Sequence, residues 1–165
     1  MADADETLDG RLKIRHIFIS PKHNFKGHYG GPPGENPTHD VDEVECVEGM
    51  GLKGDRYFGF RENYKGQVTF FDWAVYQDLL ATVEPGAESV PGPHVFRRNL
   101  IVEGVDLNSL IGKTFELQGV RFFGVEECSP CSWMNSAFGP GAEAALKDRG
   151  GLRVHVLSNG TLRKG

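Results

Sequence analysis

At 165 residues, 39% hydrophobic and 25% charged, with 22 glycines and 9 prolines, the chain has room for one packed domain that is turn-rich and β-dominated. A net charge of −5 excludes a global positive field for nucleic acid or an anionic membrane, and no apolar run approaches the ~18 residues of a membrane span. Three cysteines, an odd number, fit a reducing compartment better than a disulfide scaffold. The start is acidic and polar, unlike a signal or transit peptide. The expectation is a cytoplasmic protein with no nucleic-acid or membrane partner: a flexible lead-in over residues 1–10, then a single domain over 11–165.

Residues 11–20 read as a first strand, with Ile14, His16 and Phe18 on one face and Ile17 and Ile19 on the other. Pro21 ends it and opens a long loop rich in Gly, Pro and His. Loops of that length are uncommon without a task, although surface loops also carry such residues for no chemical reason. Residues 41–47 alternate valines with acids and contain Cys46, read as a small buried hydrophobe. A glycine-punctuated turn over residues 49–57 then presents Asp55 and Arg56.

A short buried strand is expected at residues 68–71. Asp72 caps a helix over 73–83 whose Trp73, Tyr76, Leu79, Leu80 and Val83 recur at helical spacing, which reads as core packing. After Pro91-Gly92-Pro93, residues 94–102 read as a strand that places Arg97 and Asn99 on one face and Arg98 on the other. Arg97 and Asn99 together could chelate an anion, since a guanidinium fork matches phosphate geometry. Residues 114–117 and 120–125 form a hairpin across Gln118-Gly119. A second helix is expected over 141–149, ended by Gly150-Gly151. A last hairpin joins 152–158 to 161–164 through Asn159-Gly160.

The strand over 120–125 leads into Glu126-Glu127-Cys128-Ser129-Pro130-Cys131, where Pro130 and the flanking serines predict a tight turn. Soft thiolates serve as metal ligands, nucleophiles or redox groups. A zinc site would need a second cysteine pair or nearby histidines, and His155 stands alone. A thioredoxin-like motif belongs early in a βαβ fold. The third reading is one functional thiolate, with Cys128 as bystander or resolving partner, alongside the arginine-rich segment as an anion clamp.

At this point the residues carry a likeness. The chain resembles the MOSC domain family, the C-terminal module of molybdenum cofactor sulfurases, in its small stand-alone form. The matching pieces run in the family's order. They are Gly51-Leu52-Lys53-Gly54-Asp55-Arg56, Arg97-Arg98-Asn99-Leu100, Val105-Asp106-Leu107-Asn108-Ser109-Leu110-Ile111-Gly112, Cys128-Ser129-Pro130-Cys131 and Arg149-Gly150-Gly151-Leu152-Arg153.

The resemblance implies a mainly β, small barrel-like MOSC fold (pyruvate-kinase-barrel-like) with a few short helices. It also implies binding of the molybdenum cofactor, a pterin dithiolene (molybdopterin) with a terminal phosphate. Cys131 matches the family's metal-ligating cysteine. Arg97 and Asn99 match an Arg-x-Asn pair beside the cofactor, Ser129 a serine two residues before the ligand, Arg56 an arginine of the glycine-turn motif, and Lys22 a lysine after the first strand. Gly150 and Gly151 would let backbone approach the ligand, though a helix C-cap explains them equally well.

His23 stands where amidoxime-reducing relatives carry a serine, and the loop over residues 25–37 is longer than theirs. The N-terminal domain of those relatives has no counterpart here. His23 and His28 are candidate proton donors at the rim of the site. The function so implied is a molybdenum oxidoreductase that reduces N-hydroxylated or related small compounds. Its electrons would come from a separate reductase, since no flavin, haem or nicotinamide signature is present. The alternative is a carrier of cofactor or sulfur that delivers through Cys131 to an acceptor molybdoenzyme. A homodimer is the expected assembly if a second subunit supplies the contacts of the missing domain.

Overall fold

The computed structural model describes residues 6–21, 38–83 and 92–165. Its strands are β1 (Glu6–Thr7), β2 (Lys13–Ile19), β3 (His39–Asp40), β4 (Glu43–Val47), β5 (Gly51–Leu52), β6 (Val68–Asp72), β7 (Leu100–Glu103), β8 (Thr114–Leu117), β9 (Val120–Glu127), β10 (Leu152–Val156) and β11 (Gly160–Arg163). The helices are α1 (Trp73–Thr82), α2 (Trp133–Ala137) and α3 (Ala142–Ala145), with 3-10 turns at Pro93–Phe96 and Leu107–Leu110. The fold is mainly β, as expected. Eight strands make one curled half-barrel sheet, in the order β1-β8-β9-β10-β6-β7-β2-β3, and β11-β4-β5 make a smaller one.

Around β6 and β7 the large sheet buries both faces, which explains their near-continuous apolar runs, whereas β8, β9 and β10 alternate buried with partly exposed residues. Phe70, Leu100, Val102, Phe122 and Val154 pack with Val44, Cys46, Leu52 and Leu162 of the small sheet. Phe71, Ile101 and Phe18 point to the opposite side and pack with Tyr76 and Leu79 of α1 and with Trp133, Met134 and Phe138 around α2. Cys46 is fully buried, and burial pushes its thiol up to about 12, as suits a small hydrophobe. The Asp72 cap is present: its Oδ1 accepts from Ala74 N–H at 2.9 Å. The Gln118-Gly119 hairpin is also present, with φ of 51° and 81° at its two central residues, the left-handed pair that such a turn requires.

Several expectations are corrected. Residues 6–10 do not belong to a flexible lead-in: Glu6 and Thr7 pair in parallel with Phe115 and Glu116 of β8, and Leu8 is fully buried. The pairing of β2 with β7 shifts register between Ile14 and His16, so Ile14 joins the same core as Ile17 instead of sharing a face with Phe18. An irregularity of this kind breaks the period of two on which the face assignment rested. The helix expected over 141–149 is only Ala142–Ala145. Asn159-Gly160 closes no hairpin. The Asn159 side chain accepts from Glu48 N–H at 2.8 Å, β11 pairs with β4, and β10 pairs with β6 and β9. Tertiary pairing partners overrode a local turn signal.

The edge of the large sheet is tied to the C-terminal segment through Asp40. Its carboxylate meets His16 Nδ1 at 2.8 Å and Lys164 Nζ at 2.9 Å and accepts from Ile17 N–H at 3.3 Å. Burial pushes this carboxyl up, but the three partners outweigh it and hold it below the usual range. A depressed carboxyl stabilises the fold above its unfolded pKa, and the gain is lost as pH falls through the folded one. Asp40→Asn therefore lowers the unfolding free energy at pH 7 in urea titrations, and the gap to wild type closes below about pH 4. A gap of equal size at pH 7 and pH 2 contradicts this account.

Candidate functional site

β9 delivers residues 128–131 to the end of the large sheet, but not in the tight turn expected. No backbone hydrogen bond closes across them. Cys128 N–H donates to Gly151 O at 2.8 Å, and the chain turns only afterwards, where Met134 N–H donates to Cys131 O at 2.9 Å on entering α2. Cys128 is buried and Cys131 half-buried, and both thiols are free.

The second component is the head of β7. The strand expected over 94–102 begins only at Leu100. Before it, the 3-10 turn Pro93–Phe96 ends on Arg97 in the left-handed region, φ 61° and ψ 35°. A non-glycine residue held there is strained, and such residues cluster at ligand sites. The left-handed step replaces the strand alternation and sends the three consecutive polar side chains to separate tasks. Arg98 turns inward: its Nε donates to Gly150 O at 2.9 Å, Nη1 to Phe96 O at 3.0 Å and Nη2 to Cys128 O at 3.2 Å. Asn99 is also buried. Its Nδ2 donates to Phe18 O at 3.1 Å, while its Oδ1 accepts from Thr69 N–H at 3.0 Å and Thr69 Oγ1 at 3.2 Å.

The third component is the connection between β5 and β6. Asp55 is buried and accepts from Ser20 N–H at 3.0 Å, from Tyr57 N–H at 3.3 Å and from Arg56 Nη1 at 3.2 Å. The Arg56 guanidinium lies over the Tyr57 ring, 4.6 Å from its centroid. Tyr57, Phe60 and Tyr64 pack ring against ring, with centroids 5.0–5.4 Å apart.

These three components and Arg153 of β10 enclose a cavity of about 260 Å³, lined by Arg56, Arg97, Arg98 and Arg153, by the aromatic rings of Tyr57, Tyr64 and Trp133, and by Cys128, Ser129 and Cys131, among others. No carboxylate is among its described lining residues. Arg97 carries the unsatisfied donors. Its Nε and Nη2 are buried without a hydrogen-bond partner among the described residues, as is Arg56 Nε. Burial, with the Arg56 guanidinium close by, pulls Arg97 down to about 10. It stacks against Trp133 at 5.4 Å, and Trp133 Nε1 is itself anchored to Val95 O at 2.9 Å. Burial and the neighbouring Tyr57 push Tyr64 up to about 12, so its Oη keeps its proton at neutral pH. Burial alone would lower Arg153, but Cys128 beside it, with Tyr64 and Glu126, outweighs this and holds it above the ordinary value.

Buried donors without acceptors cost free energy until a ligand supplies them. A phosphate offers several anionic oxygens, and a guanidinium fork is its natural partner. Two thiols in the same cavity add soft metal-ligand chemistry. The residues present therefore fit a ligand that carries both a phosphate and a soft-metal centre.

Of the residues singled out from sequence, Arg56, Arg97, Ser129 and Cys131 meet in this cavity. Asn99 does not: its amide is consumed by the backbone of β2 and β6, so of the expected Arg97–Asn99 pair only Arg97 faces the cavity, beside Arg56. Gly150 and Gly151 do not line the cavity either. A Cβ on Gly150 would strike Cys128 O and Pro130, and one on Gly151, at φ 115°, would strike Phe70 O, so both glycines serve approach of the chain to itself. Lys22, His23 and His28 lie outside the described residues. Sequence reasoning passed over Tyr57, Tyr64, Arg98, Arg153 and Trp133. The two tyrosines share the connection between β5 and β6 and carry no local signature, Arg153 stood in a quoted motif without a role, and Arg98, placed opposite Arg97, was given no task.

A second hollow of about 430 Å³ lies on the other side of Ser129 and Pro130, lined by Glu127, Glu143, Lys147 and Asp148 among others. Among the described residues no three His, Cys, Asp or Glu side chains gather as a metal cluster, and no helix is long and apolar enough to cross a membrane.

The fold and site together define a mainly β half-barrel in which a thiol segment faces an arginine-lined cavity. The family model for the MOSC domain matches residues 39–165, and the chain belongs to that family. No curated protein matches it. Among solved structures, the YuaD protein of Bacillus subtilis superposes with a TM-score of 0.68 at 17% identity, over 93% of this chain and 92% of that one. YiiM of Escherichia coli gives 0.62 at 17% identity, over 92% of this chain and 65% of its own. YiiM of Geobacillus stearothermophilus gives 0.63 at 13%, over 93% and 72%. At such identities the likeness speaks for the fold.

The division of labour at residues 97 and 99 is measurable without ligand. Asn99→Ala strands Phe18 O and the Thr69 N–H and lowers the unfolding free energy by at least about 2 kcal/mol. Arg97→Met removes an unpaired buried charge and leaves the stability of the ligand-free protein unchanged or higher. Urea denaturation of both variants checks this, and the reverse order of stabilities would overturn the assignment.

Proposed function

We propose that this MOSC protein binds the molybdenum cofactor through the phosphate and the metal at once, and reduces N-hydroxylated or related small compounds with electrons from a separate donor protein. The observation that carries the reading is the buried, unpartnered Arg97 Nε and Nη2 in the same cavity as the Cys131 thiol. Arg97 and Arg56 would hold the phosphate, and Cys131 would be the metal ligand. Cys128, more buried and beside Arg153, is a secondary thiol.

When bound, the cofactor supplies two-electron oxygen-atom chemistry. The chain supplies orientation and charge. Trp133 places its ring under the Arg97 guanidinium, Arg98 keeps the thiol segment in place, and the tyrosines wall the cavity on one side. Reduction of an N–OH group to N–H takes two electrons and two protons and releases water. Tyr64 Oη, protonated at neutral pH, is a hydrogen-bond donor on the cavity wall. In a chain of net charge −5, the local cluster of arginines provides the positive field that draws an anionic ligand in.

The test is metal analysis of protein made in a cofactor-competent host. Cys131→Ser should lose bound molybdenum while Cys128→Ser retains it. Arg97→Met should weaken cofactor binding by about 1.5–3 kcal/mol, the scale of a hydrogen bond to a charged group. Loaded wild type with a chemical reductant should consume amidoximes or N-hydroxylated purines. Absence of turnover, with ready transfer of cofactor to an apo-molybdoenzyme, would replace the enzyme with a carrier.

A further inference from the structure

Arg98 is neither a ligand-holding group nor an ordinary core residue. Its side chain is buried and its three hydrogen bonds go to carbonyls from three separate segments: Phe96, Cys128 and Gly150. Phe96 immediately precedes Arg97, the unpaired cation of the cradle. Cys128 opens the segment that ends at Cys131, and Gly150 leads into β10, which carries Arg153. A single rigid, planar guanidinium therefore spans the two sides of the cavity from behind. Among the described residues its hydrogen bonds go to carbonyls and none to a carboxylate, so its charge adds to the field of the cavity floor.

We propose that Arg98 is a positioning residue that fixes the distance between the phosphate-holding Arg97 and the metal-holding Cys131. The inference rests on the reading above that one ligand engages both. Without Arg98 each half can still form: Arg97 retains its Trp133 stack, and Cys131 retains the turn into α2. The lost feature is their registration, and a ligand that bridges two points gains from the second contact only when the span matches. Lysine keeps the charge but cannot reach three carbonyls with a planar fork.

The experiment uses Arg98→Lys, with Arg98→Gln as a second variant, in the full chain. Amide hydrogen exchange is followed on ligand-free protein, inorganic phosphate binding is titrated, and molybdenum content is measured after expression in a cofactor-competent host. In both variants the Cys128 amide should exchange about tenfold faster while the Val154 amide in the sheet keeps its wild-type rate. Phosphate affinity should stay within about threefold of wild type, whereas molybdenum content falls by about tenfold or more. The proposal is overturned if Cys128 and Val154 accelerate together, if phosphate and molybdenum are lost in parallel, or if molybdenum content is unchanged. Failure of both variants to fold overturns it too, making Arg98 a general structural residue. If wild type itself acquires no molybdenum, the functional reading fails. The brace is then judged on exchange alone: selective acceleration at Cys128 upholds it, and an unchanged Cys128 rate overturns it.

Discussion

Three consecutive polar residues enter the protein interior at the head of the central strand β7, and most of what surrounds them follows from the need to satisfy them. Arg98 finds three carbonyls and Asn99 bridges β2 and β6. Arg97 alone is left with buried donors and no acceptor. Burying guanidinium donors without an acceptor costs free energy, even with the Asp55 carboxylate near enough to act on the charge. The left-handed backbone at Arg97 adds strain to that cost. Both make sense if an anionic ligand completes the site.

The architecture explains where such a site can exist. One curled sheet separates a β core, closed by the small sheet, from a helical core built on α1 and the segment around α2. The cavity opens where the sheet ends between them, so its walls come from strand ends and connections rather than from strand centres. Binding groups are commonly carried on such connections while a rigid scaffold positions them. Residues 128–131 form a partition. On one face lies the arginine-lined cavity, and on the other a hollow bordered by Glu127, Glu143 and Asp148. Arginines line one side and mainly carboxylates, with Lys147, the other, so the sign of charge changes across a few residues.

Much of the fold was legible because short-range chemistry dictated it. The buried run of β6, the Asp72 cap, the Tyr76 and Leu79 face of α1 and the Gln118-Gly119 turn each depend on neighbours in sequence, whereas Leu80 of the expected α1 stripe is exposed. Where reading failed, a distant partner had intervened. The Asn159-Gly160 signal yielded to pairing of β11 with β4. The irregularity between Ile14 and His16 exists because β2 must follow β7. Residues 6–8 gained structure from β8, more than a hundred positions away in sequence, and nothing in their own acidic, polar context announces it.

The sequence by itself determined the family, the class of fold and the chemical vocabulary of the site: thiols late in the chain, arginines ahead of a central strand, glycines between them. Those are matters of residue type and order. Only the tertiary structure decided which members of each group face the cavity. The two arginines at 97 and 98 are chemically equal, yet one left-handed residue sends the first to the cavity and the second to the carbonyls behind it. Tyr64 and Arg153 became wall residues only because a connection between β5 and β6 folds over the outer face of β10. Side-chain assignment at a site assembled from four segments depends on how the backbone turns between them, and that is set by long-range packing rather than by local propensity.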